Sequence, residues 1–441
     1  PSPDGSKVAY FYGVDNPAQS KTWAGRLLVS SDHDHQLLEV TPDAHRVEQF
    51  WWTADGSALY FTQHDGRGHS AELWELRSGD LKPQLVYRAD VGEYLSSFSS
   101  DNAGKVFACV RENNATPPQI AVIDAVTKPV RPIVDLNPGF SMLQKGSTER
   151  LDGKNSYGEN WFAYLVKPLD FVPGMKYPLI VTTYRSGDYF LRGASGDENP
   201  IQVYPAHGFV VLCVDVGWTR NRVTGDFDET LLNWASPTAS IDQAVRRLAQ
   251  EGIIDLARVG IAGFSHGEEI AGYAVIHSDL FHAAVGAQNY DPFFYFLGSD
   301  DWHDIFEQWG LSGWPHGEIN PTWRKIAMSM NVDKIATPIL ENTSDTEYLV
   351  TLSTYRSLRD AGKPIELYIY PNELHVRNQP GHRLEIYDRN LDWFRFWLKD
   401  EEDPDPRKAE QYRRWNQLRD EASRNQGSSR VLPAGRSPMS K

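Results

Sequence analysis

The sequence predicts two kinds of domain in one chain. The N-terminal part reads as an all-β propeller region, and the C-terminal part as an α/β domain with a mostly parallel, doubly wound sheet. Three observations carry this. Residues 1 to about 140 repeat a turn-and-strand unit at a spacing of about 50 residues. From about residue 141, apolar strands alternate with helical stretches. Within that second region, Gly263-Phe264-Ser265-His266-Gly267 stands between a strand and a helix.

The repeat is marked by three turn signals: Ser2-Pro3-Asp4-Gly5, Thr53-Ala54-Asp55-Gly56 and Ser100-Asp101-Asn102-Ala103-Gly104. Each precedes a short apolar strand: Val8 to Phe11, Ala58 to Phe61 and Val106 to Val110. A second strand follows in each unit, at Arg26 to Val29, Glu72 to Leu76 and Gln119 to Ile123. Such spacing fits propeller blades. A sandwich is the alternative for short, turn-rich strands, and the repeat favours the propeller. A closed ring needs about four to eight blades, so the expectation is that further blades are missing from this chain. The start at Pro1, without Met, is read the same way.

In the α/β region, Trp161 to Val166, Tyr177 to Tyr184 and Gly208 to Asp215 read as strands. The second is continuously apolar, as a strand covered on both faces should be. Ser240 to Ala249 has helical periodicity, with Ser240 as the expected N-cap. Further strands are expected at Arg258 to Ala262, Ala284 to Ala287, Thr337 to Leu340 and Glu366 to Tyr370, with a helix from Glu268 to Ile276. The expected domains are therefore 1–140 (propeller blades), 141–400 (α/β domain) and 401–441 (tail). In the tail, Glu401 to Pro406 breaks the last helix, Lys408 to about Arg424 forms a charged helix, and the polar end from Asn425 is disordered.

Composition narrows the function. The 441 residues are enough for two domains. A net charge of −15 argues against nucleic acid and anionic membrane as partners. No apolar run reaches the length of a membrane-spanning helix. Cys109 and Cys213, the two cysteines, fall in different expected domains, so no disulfide framework is expected. Neither stands in a metal-ligand spacing, and no cofactor or metal is expected. A cytoplasmic location is the expectation. The periplasm stays open, because targeting information would lie in the missing part.

A serine on a sharp strand-to-helix turn is the nucleophile elbow of α/β-hydrolases. The flanking glycines avoid collision between strand and helix, and the helix N-terminus aims its N–H groups at the reacting centre. In this fold order an acid follows the serine and the histidine comes last. The strand ending at Leu340 runs into Glu341-Asn342-Thr343-Ser344-Asp345-Thr346-Glu347, so Asp345 and Glu347 are both candidate acids. The strand ending at Tyr370 runs into Pro371-Asn372-Glu373-Leu374-His375, which makes His375 the candidate base. His382 is the fallback. His207, His277, His282, His303 and His316 read as structural or solvated. For an oxyanion hole, the backbone N–H of His266 is one donor. The other belongs to the loop after the third strand, Tyr184-Arg185-Ser186-Gly187.

Together these residues resemble the prolyl oligopeptidase family of serine peptidases, over residues 1 to 399. The resemblance implies a propeller joined to a C-terminal α/β-hydrolase domain. It also implies that the Tyr184 hydroxyl completes the oxyanion hole. The family's acid loop usually reads His-Gly-x-x-Asp. Asp345 falls at that Asp, but Glu341-Asn342 replaces His-Gly, which keeps Glu347 open. Glu268 stands where the family typically has a second glycine. The paired acidic signature of dipeptidyl peptidases is not found in the part present.

These departures, with Tyr387 to Phe394, are similar to the lasso-peptide isopeptidase branch. That likeness implies hydrolysis of the macrolactam isopeptide bond of a threaded peptide, through an acyl-enzyme on Ser265, to give a linear peptide. A threaded substrate needs a wide cleft, and Tyr290 to Trp323, with Trp302, Trp309 and Trp314, is a candidate lining. The alternatives are a general oligopeptidase or aminopeptidase acting on linear peptides, an esterase, and a non-catalytic propeller scaffold.

Overall fold

The structure is a computed structural model. It describes residues 1–12, 26–31, 37–41, 46–64, 71–90, 92–102, 104–125, 129–184, 189–190, 199–215, 227–287, 291–298, 303, 306–307, 311, 318 and 320–429. The chain forms two compact units. The first is Pro1–Thr148 with Ser186–Arg192 and Gly217–Glu229; the second holds the remainder.

The first unit contains three antiparallel meanders, the strand arrangement of propeller blades. They are β1 (Lys7–Tyr12), β2 (Arg26–Ser31) and β3 (Leu37–Glu39); β4 (Arg46–Trp52), β5 (Ala58–His64), β6 (Ala71–Arg77) and β7 (Gln84–Arg88); and β8 (Tyr94–Ser100), β9 (Val106–Asn113), β10 (Thr116–Asp124) and β11 (Val130–Asp135). The three turn signals fold alike. The N–H groups of Gly5, Gly56 and Gly104 donate to the carbonyls of Ser2, Thr53 and Asp101, at 2.9, 3.0 and 3.1 Å. All three glycines have positive φ, between 64° and 73°, which a side chain would strain. The aspartates close the turns. Asp4 and Asp55 accept from neighbouring hydroxyls and N–H groups, which hold both carboxyls down at about 2. Apolar strand faces meet between sheets. Leu27, Val29, Leu59 and Phe61 form one cluster; Tyr60, Leu73, Phe98, Phe107 and Ile123 form another.

The second unit is built on an eight-stranded sheet. Its strands are β12 (Thr148–Lys154), β13 (Asn160–Val166), β14 (Tyr177–Tyr184), β15 (Val210–Asp215), β16 (Ile254–Phe264), β17 (Ala283–Ala287), β18 (Ile339–Ser344) and β19 (Ile365–Tyr370). Their order is β12-β13-β15-β14-β16-β17-β18-β19. The β13/β15 pair is antiparallel, and every pair from β15 to β19 is parallel. Helices are α1 (Phe227–Gln250), α2 (His266–His277), α3 (Pro292–Gly298), α4 (Trp323–Ile326), α5 (Tyr348–Asp360), α6 (Pro380–Lys399) and α7 (Ala409–Ser429). This is the α/β-hydrolase fold, with loops at the C-terminal strand ends available for chemistry. The core joins Leu179, Val181, Val210, Leu212, Val259 and Ile261 of the sheet to Ile241, Val245, Leu248, Ile270 and Ala274 of α1 and α2.

Three local expectations change. Ser240 is not an N-cap: α1 begins at Phe227 and runs through Pro237. The Ser240 hydroxyl lies inside the helix, donating to the Ser236 carbonyl (3.2 Å) and accepting from the Asn155 amide (3.0 Å). Pro237 hides the upstream half of the helix, since a proline there removes a helical N–H. The strand expected to end at Leu340 continues to Ser344 with every residue buried, so Glu341 sits within β18 rather than in a loop. In the tail, α7 extends past Asn425 to Ser429. Its Tyr412, Trp415 and Leu418 are buried, and Trp415 packs edge-on to Trp393 of α6 at 4.9 Å. Apolar residues at helical spacing thus dock an otherwise charged helix. Residues 430–441 lie outside the described residues.

Candidate active site

The elbow is assembled by sterics. Ser265 follows β16 with φ 57° and ψ −132°, a conformation that costs a non-glycine residue about 1–3 kcal/mol. The two flanking glycines permit it. A Cβ at Gly263 would lie 2.2 Å from the carbonyl oxygen of Gly267, and one at Gly267 would lie 2.5 Å from the carbonyl oxygen of Thr183. Backbone meets backbone at both places, so no rotamer change could relieve the clash. The Ser265 carbonyl accepts from the N–H of Glu268 at 2.8 Å, which starts α2.

The loops after β18 and β19 bring two partners to this serine. Ser265 Oγ and His375 Nε2 are 3.0 Å apart. On the other side of the imidazole, Nδ1 lies 3.0 Å from Oε1 of Glu347. The ring of Phe264 lies 4.9 Å from that of His375. Asp345 faces elsewhere. Its carboxylate accepts from the N–H groups of Asn372 (2.8 Å) and Glu373 (3.3 Å). The Asn372 bond, ahead of the others, holds the Asp345 carboxyl below the usual range.

The histidine loop has its own scaffold, which sequence reasoning did not single out. Glu373, 1% exposed, accepts from the N–H groups of Asn378 (2.8 Å) and Gln379 (3.1 Å) and pairs with His382 Nδ1 (2.8 Å). Burial alone would raise the Glu373 carboxyl; these hydrogen bonds outweigh it and hold it below the usual range. The fallback histidine is therefore tied into this scaffold. Arg377, fully buried, donates to the carbonyl of His375 at 3.0 Å and to that of Asn342. A buried charge is retained where hydrogen bonds compensate it. The sequence signal was present: a Glu and an Arg flank His375 by two residues on each side.

Tyr184 ends β14 with φ 131°, and its half-buried ring meets His266 edge-on at 5.8 Å. His266 opens α2, where first-turn N–H groups point along the helix axis. Its Nδ1 donates to Glu269 at 2.6 Å. Glu269 also accepts from the indole N–H of Trp234 at 3.0 Å. A chain Trp234–Glu269–His266, buried at Trp234 and Glu269, therefore backs the Tyr184 ring. The loop residues Arg185, Ser186 and Gly187 lie outside the described residues, as do His316, Trp302, Trp309 and Trp314. Trp323 is described. It is buried beside Phe293, Phe296 and Phe306, with ring centroids 5.2 to 5.7 Å away. Among the described residues no helix is long and apolar enough to cross a membrane.

Comparison with known proteins agrees with this architecture. Relatives include the lasso peptide isopeptidase AtxE2 of Asticcacaulis excentricus, 32% identical over 385 residues, spanning 85% of this chain and 54% of the relative. Dipeptidyl-peptidase 5 of Porphyromonas gingivalis is 23% identical over 427 residues, 90% of this chain and 58% of the relative. The chain thus spans a little over half the length of these curated relatives. Among solved structures, apo AtxE2 isopeptidase superposes with a TM-score of 0.78 at 28% identity, covering 95% of this chain and 64% of the other. An acylaminoacyl peptidase of Pyrococcus horikoshii, at 19% identity, shares the fold with a TM-score of 0.72, over 91% of this chain and 63% of the other. The sequence profile of the prolyl oligopeptidase family matches residues 200–401. That span holds the elbow and the histidine loop, so the family's pattern falls on the residues of this site.

Proposed function

We propose that this chain carries the catalytic machinery of a serine isopeptidase that opens the macrolactam ring of lasso peptides. One observation supports the chemistry above all: a continuous relay in which Ser265, His375 and Glu347 are joined by two contacts of 3.0 Å. The substrate class is supported by the 32% identity to a lasso peptide isopeptidase.

In this reading the Ser265 hydroxyl attacks the carbonyl carbon of the Asp or Glu side chain that closes the ring. His375 Nε2 takes the hydroxyl proton as the C–O bond forms. Glu347 accepts from Nδ1–H, which keeps Nε2 as the acceptor and stabilises the imidazolium. The oxyanion is held by the Tyr184 hydroxyl and the His266 N–H. His375 then gives its proton to the departing N-terminal amine. The C–N bond breaks and leaves an ester on Ser265. Water, deprotonated by His375, hydrolyses that ester. The product is a linear peptide with a free amine and a free side-chain carboxylate. Asp345 acts on the loop and not on the imidazole.

The test pairs a lasso peptide with a linear chromogenic peptide and follows both by mass spectrometry. A gain of about 18 Da in the lasso peptide, as water adds across the amide, supports the reading, provided Ser265→Ala abolishes it. Cleavage of the linear peptide alone, with the ring intact, replaces it by a general oligopeptidase or aminopeptidase. Absence of fluorophosphonate labelling at Ser265 leaves a non-catalytic scaffold.

A further inference from the structure

The two departures from the family pattern noted in the sequence, Glu268 and Glu341, come together in space. Glu268 lies in the first turn of α2, and Glu341 lies within β18. Between them is Gly286 of β17, which stands in register with Gly263 of β16 on one side and Glu341 on the other. A Cβ at Gly286 would lie 2.4 Å from Oε1 of Glu268 and 2.6 Å from Oε2 of Glu341. The notch left by this glycine is thus filled by two carboxyl groups side by side. Glu268 is 4% exposed and Glu341 is 1% exposed. Neither is open to a substrate, so any effect on chemistry passes through the chain.

That connection is short. The Glu268 N–H donates to the Ser265 carbonyl at 2.8 Å. A Cβ at Gly263 would fall 2.6 Å from the same Glu268 nitrogen. The elbow therefore has no slack against Glu268. On the other side, β18 ends at Ser344 and leads directly to Glu347. The pair spans from the serine's turn to the strand that delivers the acid.

Two adjacent buried carboxylates repel, and a hydrogen bond between two carboxyl groups requires a proton. We infer that Glu268 and Glu341 share one proton beneath the elbow, and that this shared proton holds Ser265 in register with His375. The pair consists of positioning residues, and loss of its proton displaces the nucleophile. This rests on Ser265 being the nucleophile.

The division of charge follows from the surroundings. Glu268 sits at a helix N-terminus, where negative charge is favoured, so Glu341 keeps the proton. Burial pushes the Glu341 carboxyl up to about 7. Other charged or titratable groups on the packed elements are engaged elsewhere. On α2, Glu269 is bound to His266 and Trp234. After β17, Asp291 accepts from the N–H groups of Ser329 and Phe293. Arg377, from the histidine loop, donates to the Asn342 and His375 carbonyls. On β19, Tyr370 donates to Asn342. On α6, Arg389 donates to Tyr370 and Glu385, and Asp392 meets Lys408 at 2.8 Å. Glu347, at the start of α5, meets His375, and Tyr184 on β14 meets His266.

The experiment measures the rate of fluorophosphonate labelling from about pH 5 to about pH 10 on the full chain, for the parent and for Glu341→Gln, Glu268→Gln and Glu341→Leu. The acidic limb belongs to the imidazole. The parent should also lose rate on the alkaline side, as the second carboxyl ionises. In Glu341→Gln the amide N–H donates to Glu268 at every pH, so labelling should stay within about 3-fold of the parent optimum and the alkaline limb should vanish. Glu341→Leu, with no donor, should fall at least about 10-fold at all pH values. Glu268→Gln should also lose the alkaline limb, because only one ionisable carboxyl remains. Thermal melts near pH 6 and pH 9 check that each variant is folded. A parent that labels with no alkaline loss overturns the inference, as does a folded Glu341→Gln that keeps the loss. A parent that takes no label at any pH instead removes Ser265 as the nucleophile.

Discussion

Oε1 of Glu347 lies 3.0 Å from Nδ1 of His375, and Glu347 stands at the cap position of α5 rather than at the end of β18. Asp345, two residues earlier, points its carboxylate at the backbone of residues 372 and 373. Two acids within one short loop therefore have separate partners. One meets the imidazole, and the other ties the β18 loop to the β19 loop.

Glu347→Gln should lower kcat by about 10³-fold or more, because an orienting acid sets the histidine tautomer. Asp345→Ala should cost less than about 10-fold in kcat, since it removes only loop hydrogen bonds. Single-turnover acylation rates for the two variants check this. Equal losses would assign the acid role to neither residue alone.

Tyr184→Phe keeps the ring packed on His266 and removes the hydroxyl. If that hydroxyl binds the oxyanion, kcat should fall by about 10²-fold with KM little changed. Steady-state kinetics separate the two constants, and an unchanged kcat would leave the Tyr184 ring with a packing role only.

The Glu373 carboxyl is held below its unfolded value. It therefore contributes stability that is present above the ordinary Glu value of about 4.3 and lost as pH falls through its folded value. Glu373→Gln should be destabilised by about 1–3 kcal/mol near neutral pH, with the deficit shrinking toward pH 3. Urea denaturation at several pH values measures this. A deficit that does not vary with pH would show that the Glu373 charge is not the source.

Glu341 has the opposite sign. Its folded value, about 7, lies above the unfolded one, so the folded state holds the proton more tightly. The corresponding stability is fully present below about pH 4.3 and declines as pH rises toward 7. Glu341→Gln should flatten that decline. Calorimetric Tm values across this window decide it, and an unchanged slope would locate the titration elsewhere.

Trp415 is fully buried against Trp393 and Phe396, with ring centroids 4.9 and 5.6 Å away. Trp415→Ala should cost about 3–5 kcal/mol through transfer and cavity terms. Loss of α7 helicity in circular dichroism, with α6 intact, would accompany it. A change below about 1 kcal/mol would mean that α7 is not docked in solution.

Most of the framework was legible in one dimension. The three blade turns could be read because each needs a glycine at positive φ and an aspartate to cap it, at a fixed spacing. The elbow could be read because its Gly-x-Ser-x-Gly pattern stands between a strand and a helix, and the Gly263 clash is with backbone only four residues away. His375 and the Asp345/Glu347 alternative followed from chain order in this fold. Less was visible where periodicity was interrupted or where neighbours were needed. Pro237 concealed half of α1. The buried run Ile339–Ser344 looked like strand followed by loop, because Glu341 and Asn342 are polar.

Local sterics and strand order were thus enough to mark a serine elbow, a candidate base and a pair of candidate acids. They could not say which acid meets the imidazole, because Asp345 and Glu347 differ by two residues in sequence and are separated only by how β18 turns into α5. Nor could they join Glu268 to Glu341, 73 positions apart. That contact exists because parallel strands place Gly263, Gly286 and Glu341 side by side. A single missing Cβ at Gly286 then leaves room for both carboxyls beneath Ser265.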